Sequence, residues 1–146
     1  MSALNKLNST LTGVYQISGN TNDVENAAQA TDLTLFTINA ESIKNTQDLF
    51  YEFASVLNFP EYFGQNWDAL HECLTDLSWM PFKGIVLLVK HSKHLYDTKP
   101  DDFKKMIQVL LLVTHHWQSQ NIAFFVFIHD HSDWNSDLPK WLSPRI

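Results

Sequence analysis

Along this chain the apolar positions change period, from two to about 3.6 and back, and each change marks an element. GVYQI (13–17) alternates apolar with polar residues between Gly13 and Ser18-Gly19, which predicts a short strand. NDVENAAQA (22–30) predicts a short helix with Asn22 as its N-cap, and LTLFTI (33–38), β-branched and aromatic, a second strand. In TQDLFYEFASVL (46–57), Leu49, Phe50, Phe53 and Leu57 fall at helical spacing, with Thr46 placed to cap and Pro60 to end the element. A helix over 66–77 follows. GIVLLVK (84–90) and IAFFVFI (122–128) are nearly continuous apolar runs, the pattern of strands buried on both faces, so both belong at the centre of a sheet. Between them, residues 100–118 read as one long helix with Pro100, Asp101 and Asp102 in its first turn.

Strands alternating with helices argue for parallel pairing joined by crossovers. The expected fold class is therefore α/β: a small, mainly parallel sheet of three core strands plus an extra N-terminal strand, packed with helices. With 146 residues and no linker or repeat, residues 1–146 fit a single domain. MSALNKLNSTLTG reads as a polar N-terminal tail, and HDHSDWNSDLPKWLSPRI as an irregular C-terminal tail that two tryptophans pin to the body. No leader-like segment and no apolar run near 18 residues is present, so the expectation is a cytoplasmic protein without a membrane partner. The single cysteine, Cys73, excludes an internal disulfide.

Charge sharpens the picture by its placement. The net charge is −6, and between Lys44 and Lys83 there is no lysine or arginine at all. That gap holds Asp48, Glu52, Glu61, Asp68, Glu72 and Asp76, while the rest of the chain is balanced. A field of one sign repels nucleic acid and attracts a basic partner; a plain solvated acidic face is the alternative.

On a helical wheel at about 100° per residue, Trp67, Leu70, Leu74 and Leu77 gather on one arc, which must face the core. Asp68, Glu72 and Asp76 gather opposite. Asn66 sits where an N-cap is wanted, and Asp68 is helped by the helix dipole that opposes Asp76. Like charges four residues apart repel by roughly 0.2–0.5 kcal/mol per pair, and no cation is interleaved to relieve them. A local rule broken without compensation marks a candidate functional site. His71 lies on the flank of the stripe. Tyr62 and Phe63 precede it beside Gly64 in a loop, where aromatics could exclude water from the charges, although Phe63 and Trp67 also suit the core.

The segment FPEYFGQNWDALHECLTDL resembles the barstar family, small intracellular inhibitors of secreted ribonucleases. Pro60-Glu61-Tyr62, Gly64, Asn66, Asp68-Ala69-Leu70 and Cys73-Leu74-Thr75 carry the resemblance. It extends more weakly from about Leu33 to Ile128, with residues 1–32 similar to the N-terminal extension of longer barstar-like proteins and 129–146 a tail without counterpart. The resemblance implies that helix and loop plug the active site of a nuclease, their carboxylates meeting the groups that hold RNA phosphate. By position it implies partner contacts at Tyr62, Asn66, Asp68 and Thr75, with Glu72 where the family has a central aspartate; Asp76 on the acid stripe and His71 on its flank complete the expected partner-binding set. There are departures: His71 and Leu77 stand in place of tryptophans, Asp76 in place of a glycine, and His115 near an acidic position. The implied function is stoichiometric, antitoxin-like inhibition of a basic ribonuclease, one-to-one, by a chain that is monomeric when free and has no cofactor. A barstar-like scaffold serving as a regulatory or assembly module for another basic protein is the alternative.

Enzymatic readings find little in the residues. His71-Glu72 begins like HExxH, but Thr75 occupies the second histidine position. His115-His116 point about 100° apart on a helix. His129, His131 and Asp133 would share a side of an extended chain and are the best metal candidate, and so of a metal-dependent hydrolase, set against a solvated polar tail. Cys73 lies beside the core arc, as a buried structural thiol would.

Overall fold

The structure, a computed structural model, describes residues 7–61, 63–132 and 134–141. Its elements in chain order are β1 (Gly13–Ser18), α1 (Asn22–Ala30), β2 (Thr34–Asn39), α2 (Thr46–Leu57), α3 (Trp67–Asp76), β3 (Ile85–Lys90), α4 (Ser92–Thr98), α5 (Pro100–Ser119) and β4 (Phe124–Asp130). The sheet has the order β1-β4-β3-β2, and every pairing is parallel. The expected α/β class therefore holds, with β3 and β4 central and buried along nearly their whole length.

An all-parallel sheet needs a crossover at every link. The link from β1 to β2 runs to the far edge of the sheet, and the next two return toward β1, so a constant handedness puts them on opposite faces. The core divides accordingly. On one face Ile38, Leu87, Val89, Val126 and Ile128 pack under Phe53 of α2, Leu70 and Leu74 of α3, and Leu110 and Val113 of α5. On the other, Val86, Leu88, Phe125 and Phe127 lie under Val24, Ala27 and Ala28 of α1.

Helix α1 is short and presents mostly alanine to this second face, so other segments complete the cover. Leu7 is buried there, and Trp141 sets its ring edge-on to Tyr15, Phe125 and Phe127 at centroid distances of 4.9, 5.7 and 5.5 Å. The C-terminal segment also zips onto the outer edge of β1: Gln16 N–H donates to Pro139 O at 2.8 Å and Trp141 N–H to Gln16 O at 2.9 Å. The tail is thus pinned by tryptophans as expected. Residues 7–12 are not the free polar tail read from the sequence, since Leu7 is core and Ser9–Leu11 form a 3₁₀ turn.

Several local assignments shift. Asn45, not Thr46, caps α2 by accepting from Asp48 N–H at 2.8 Å, while the Thr46 hydroxyl donates to Asp102. Thr21 precedes α1, so Asn22 is its first residue and not its cap. Helix α4 was not foreseen: SKHLYDT buries only Ser92 and Leu95, too few positions to show a period. Gly84, opening β3, leaves no room for a side chain, because a Cβ there would stand 2.7 Å from both Ala123 O and a Leu33 methyl.

Candidate functional site

Asn66 accepts from Ala69 N–H at 2.8 Å and starts α3 as its polar side chain predicts. Leu70, Leu74 and Leu77 are fully buried; Trp67 is half-buried, its ring edge-on to Phe50 at 5.0 Å. The far end of the helix is held from α5 by Trp117 Nε1, which donates to Leu74 O at 2.8 Å. Leu77 closes α3 in the left-handed region, φ 53°, a conformation that costs a non-glycine residue about 1–2 kcal/mol and is kept because the side chain is wholly buried. Gln65, just before the cap, is left-handed too at φ 53°. At the C-terminal end, then, packing overrides local preference.

This mounting turns the acid stripe outward. Asp68, Glu72 and Asp76 are all exposed. They line two adjoining concavities, of ≈ 280 Å³ (Phe63, Gly64, Ala69, Glu72, Cys73, Asp76) and ≈ 550 Å³ (Gly64, Asn66, Trp67, Asp68, Ala69, Glu72). Gly64, Ala69 and Glu72 belong to both. The result is a groove between the loop at 63–66 and α3, floored by Ala69, with Glu72 at its middle. A Cβ on Gly64 would come within 3.3 Å of Asn66 Nδ2, so the groove's wall is tight against the helix cap.

Among the described residues no cation pairs with these carboxylates. The ion pairs among the described residues are Lys83–Asp32, Lys90–Glu25 and Lys93–Asp97, none on α3. Asp76 accepts from the Ser78 hydroxyl at 3.2 Å, which eases the charge at the unfavourable end of the dipole. The wider run of acids is less uniform than its sequence suggests. Asp48 accepts from Lys44 N–H at 3.1 Å and Glu52 from Asn39 N–H at 3.0 Å, so both are occupied in holding backbone.

Cys73 is buried and lines the groove. Burial pushes its thiol above the ordinary range, and Asp76 and Glu72 push it further. It is the buried structural thiol expected, poorly disposed to act as a nucleophile.

His71 and Thr75 do not line the groove. They lie half-buried on the stripe's other flank, and the Thr75 hydroxyl donates back to His71 O at 2.9 Å. Tyr62 lies outside the described residues. Phe63 and Trp67, expected in the core from the sequence, do both jobs: each packs edge-on against Phe50 and each lines a wall of the groove. Gly64 and Ala69 line the groove without having been singled out by the sequence; their signal was small size at positions flanking the acids.

The histidine and aspartate candidates separate. His129 is not in a solvated tail, because β4 runs to Asp130 and His129 is 2% exposed. Its Nε2 lies 2.6 Å from Gly19 O, so that nitrogen carries the proton, and burial holds the imidazole's pKa below its ordinary value. The His131 ring lies between His129 and His91, at centroid distances of 5.5 and 5.3 Å. Among the described residues no group of three or more His, Cys, Asp or Glu is arranged to hold a metal; Asp133 lies outside them. A further concavity of ≈ 390 Å³ between α4, α5 and the tail, lined by Tyr96, Phe103, Lys104 and Ile107 among others, shares no residue with α3.

Among the described residues no helix is long and apolar enough to cross a membrane. No curated protein matches the chain. Among solved structures it is similar to the Aeropyrum pernix ORC2 protein in its ADPNP–ADP complexes, at 12% identity and a TM-score of 0.56, over 84% of this chain. This chain spans only 36% of that one, and at such identity the likeness is of fold alone. The family model described as Barstar (barnase inhibitor) matches residues 33–129, from just before β2 to within β4 and including the whole groove. The chain belongs to the barstar family.

Proposed function

We propose that this chain is a stoichiometric inhibitor of a basic ribonuclease, an antitoxin-like protein that blocks the nuclease's active site with α3 and the loop before it. The observation that carries the reading is the groove on α3. Three carboxylates line it in succession, and no described residue pairs with any of them through a cation. Membership in a family of barnase inhibitors supports the same reading.

The chemistry follows from the spacing. Carboxylates at positions i, i+4 and i+8 of a helix stand about 6 Å apart per step, comparable with successive phosphates of an RNA chain. Cationic side chains that hold RNA in a nuclease would meet them one after another. The groove supplies the low-dielectric setting: Phe63 and Trp67 form apolar walls, and Ala69 allows close approach. A partner docked over the groove encloses these exposed charges, which then attract more strongly than at an open surface, and the repulsion along α3 is relieved when its cations arrive. The helix is rigidly seated through Trp117 and the buried leucines, so little ordering entropy is lost on binding. Nothing turns over; the site binds and blocks.

Affinity capture from the native cell tests the proposal. Wild-type bait should retain a basic ribonuclease that an Asp68→Ala/Glu72→Ala bait does not. A partner that is no nuclease, or one retained equally by both baits, would overturn it.

A further inference from the structure

The two edges of the sheet are treated differently. At β1 the peptide groups of Gln16 are taken by Pro139 and Trp141. The tail therefore occupies that edge at its middle, through a single parallel bridge. At β2 nothing comparable occurs, and the strand TLFTIN carries no charge, no proline and no bulge, the features that usually protect an edge from pairing.

Which groups are open follows from one hydrogen bond. Thr34 N–H donates to Gly84 O at 3.0 Å, so Thr34 turns its peptide groups toward β3. By alternation Phe36 and Ile38 do the same, while Leu35, Thr37 and Asn39 turn theirs outward. Asn39 agrees, since its N–H donates to Glu52 Oε2 at 3.0 Å. One step before the strand, Leu33 N–H is taken by Ala28 O at 2.9 Å. The open segment is thus bounded at both ends by groups already bonded. Between those ends, Leu35 and Thr37 present N–H and C=O to no described partner.

We infer that β2 is a self-association edge, which pairs antiparallel with β2 of a second copy about a two-fold axis through Phe36. An antiparallel partner exchanges both bonds with every second residue. Only one register gives each open residue an open partner: Leu35 opposite Thr37 of the second copy, and Thr37 opposite its Leu35. Shifting by two residues sets one of them against Leu33 or Asn39, whose N–H groups are spent. In the favoured register Phe36 faces Phe36 of the second copy at the close, non-hydrogen-bonded position. Aromatic pairs there add to sheet stability. Phe36 is half-buried against the main core, so its ring is already oriented. The occupant is a second copy because the pattern is complementary to itself about a two-fold axis, and because none of the six strand residues carries a charge that its own copy would oppose; Glu52 stands only at the Asn39 end, where the open segment stops. The monomer expected from the sequence becomes the dilute limit of this equilibrium. None of the residues involved belongs to α3, so the inference stands apart from the inhibitor reading.

Sedimentation equilibrium on the full chain, from about 1 µM to about 1 mM, tests it by covering the affinity range of a small interface. Wild type should shift from monomer to dimer with concentration. Thr37→Pro removes one outward donor and leaves the ladder to β3 intact; it should weaken the dimer by at least about tenfold, as should the edge charge of Thr37→Lys. In a Cys73→Ser background, Phe36→Cys should cross-link on oxidation, and Thr34→Cys, away from the axis, should not. A wild-type chain that stays monomeric throughout, or a dimer indifferent to both Thr37 variants, would overturn the inference. So would cross-linking at position 34 and not at 36.

Discussion

Glu72→Ala separates a binding site from a solvated surface, because it should move affinity and stability in opposite directions. In the free chain Glu72 is exposed and stands one turn from Asp68 on one side and from Asp76 on the other, with no cation among the described residues. Its removal deletes two like-charge i,i+4 pairs, each worth roughly 0.2–0.5 kcal/mol. Set against little lost burial, that predicts a free protein more stable by up to about 1 kcal/mol, or roughly 2–4 °C in Tm. In a complex, truncating one side of a buried, hydrogen-bonded charge pair costs about 2–5 kcal/mol, a range drawn partly from barnase with barstar and so carried over from the family's namesake pair. That converts to a loss of about 30-fold to several-thousand-fold, expressed mainly in the dissociation rate. Stopped-flow association and dissociation against the captured nuclease, beside thermal melts of the free variants, measure both terms. A third readout is local: Glu72 helps hold the Cys73 thiol high, so the variant's thiol should titrate lower in an alkylation-rate profile. Wild-type affinity in the variant, or a free protein that unfolds, would show the stripe to be structural and refute the reasoning.

Deleting residues 134–146 removes Trp134, Trp141 and the bonds to Gln16; it should lower stability by about 2–5 kcal/mol in chemical denaturation, with affinity per folded molecule unchanged. Gly84→Ala should cost about 1–3 kcal/mol, because its Cβ meets a backbone carbonyl that cannot yield. For His129 the folded pKa is depressed, chiefly by burial, against the Gly19 bond that raises it; His131 and Lys90 also lower it and Asp130 raises it. Stability that depends on its neutral form is complete above the unfolded pKa of about 6.5 and drains as pH falls from there toward the folded value. Denaturation midpoints from pH 8 to 5 should fall more steeply for wild type than for His129→Gln, and parallel curves would refute this assignment.

The strong elements were legible because burial imposes a pattern. GIVLLVK and IAFFVFI announce a central strand each, and the 3.6-residue spacing in α2, α3 and α5 survives because each buries a single stripe. The acid stripe was legible for the complementary reason, since nothing masks a run of like charges. What stayed hidden depends on long-range docking. Helix α4 buries two residues and has no period. Leu7 looks like a tail residue, and the surface that Trp141 pins itself to stays unnamed, until the second sheet face, thinly covered by α1, is seen to need both. Asp48 and Glu52 looked like part of one acidic field, but their backbone partners are fixed by the fold. The groove itself could not be read, because Gly64 and Ala69 matter by what they leave empty.

The central claim is that α3 blocks a nuclease one-to-one. It is tested most directly by titrating a fixed amount of the captured ribonuclease with this chain and following RNA cleavage. Cleavage should fall linearly to complete inhibition at one molar equivalent, with a blunted, incomplete curve for Asp68→Ala/Glu72→Ala. Full cleavage activity in a saturated complex would contradict it.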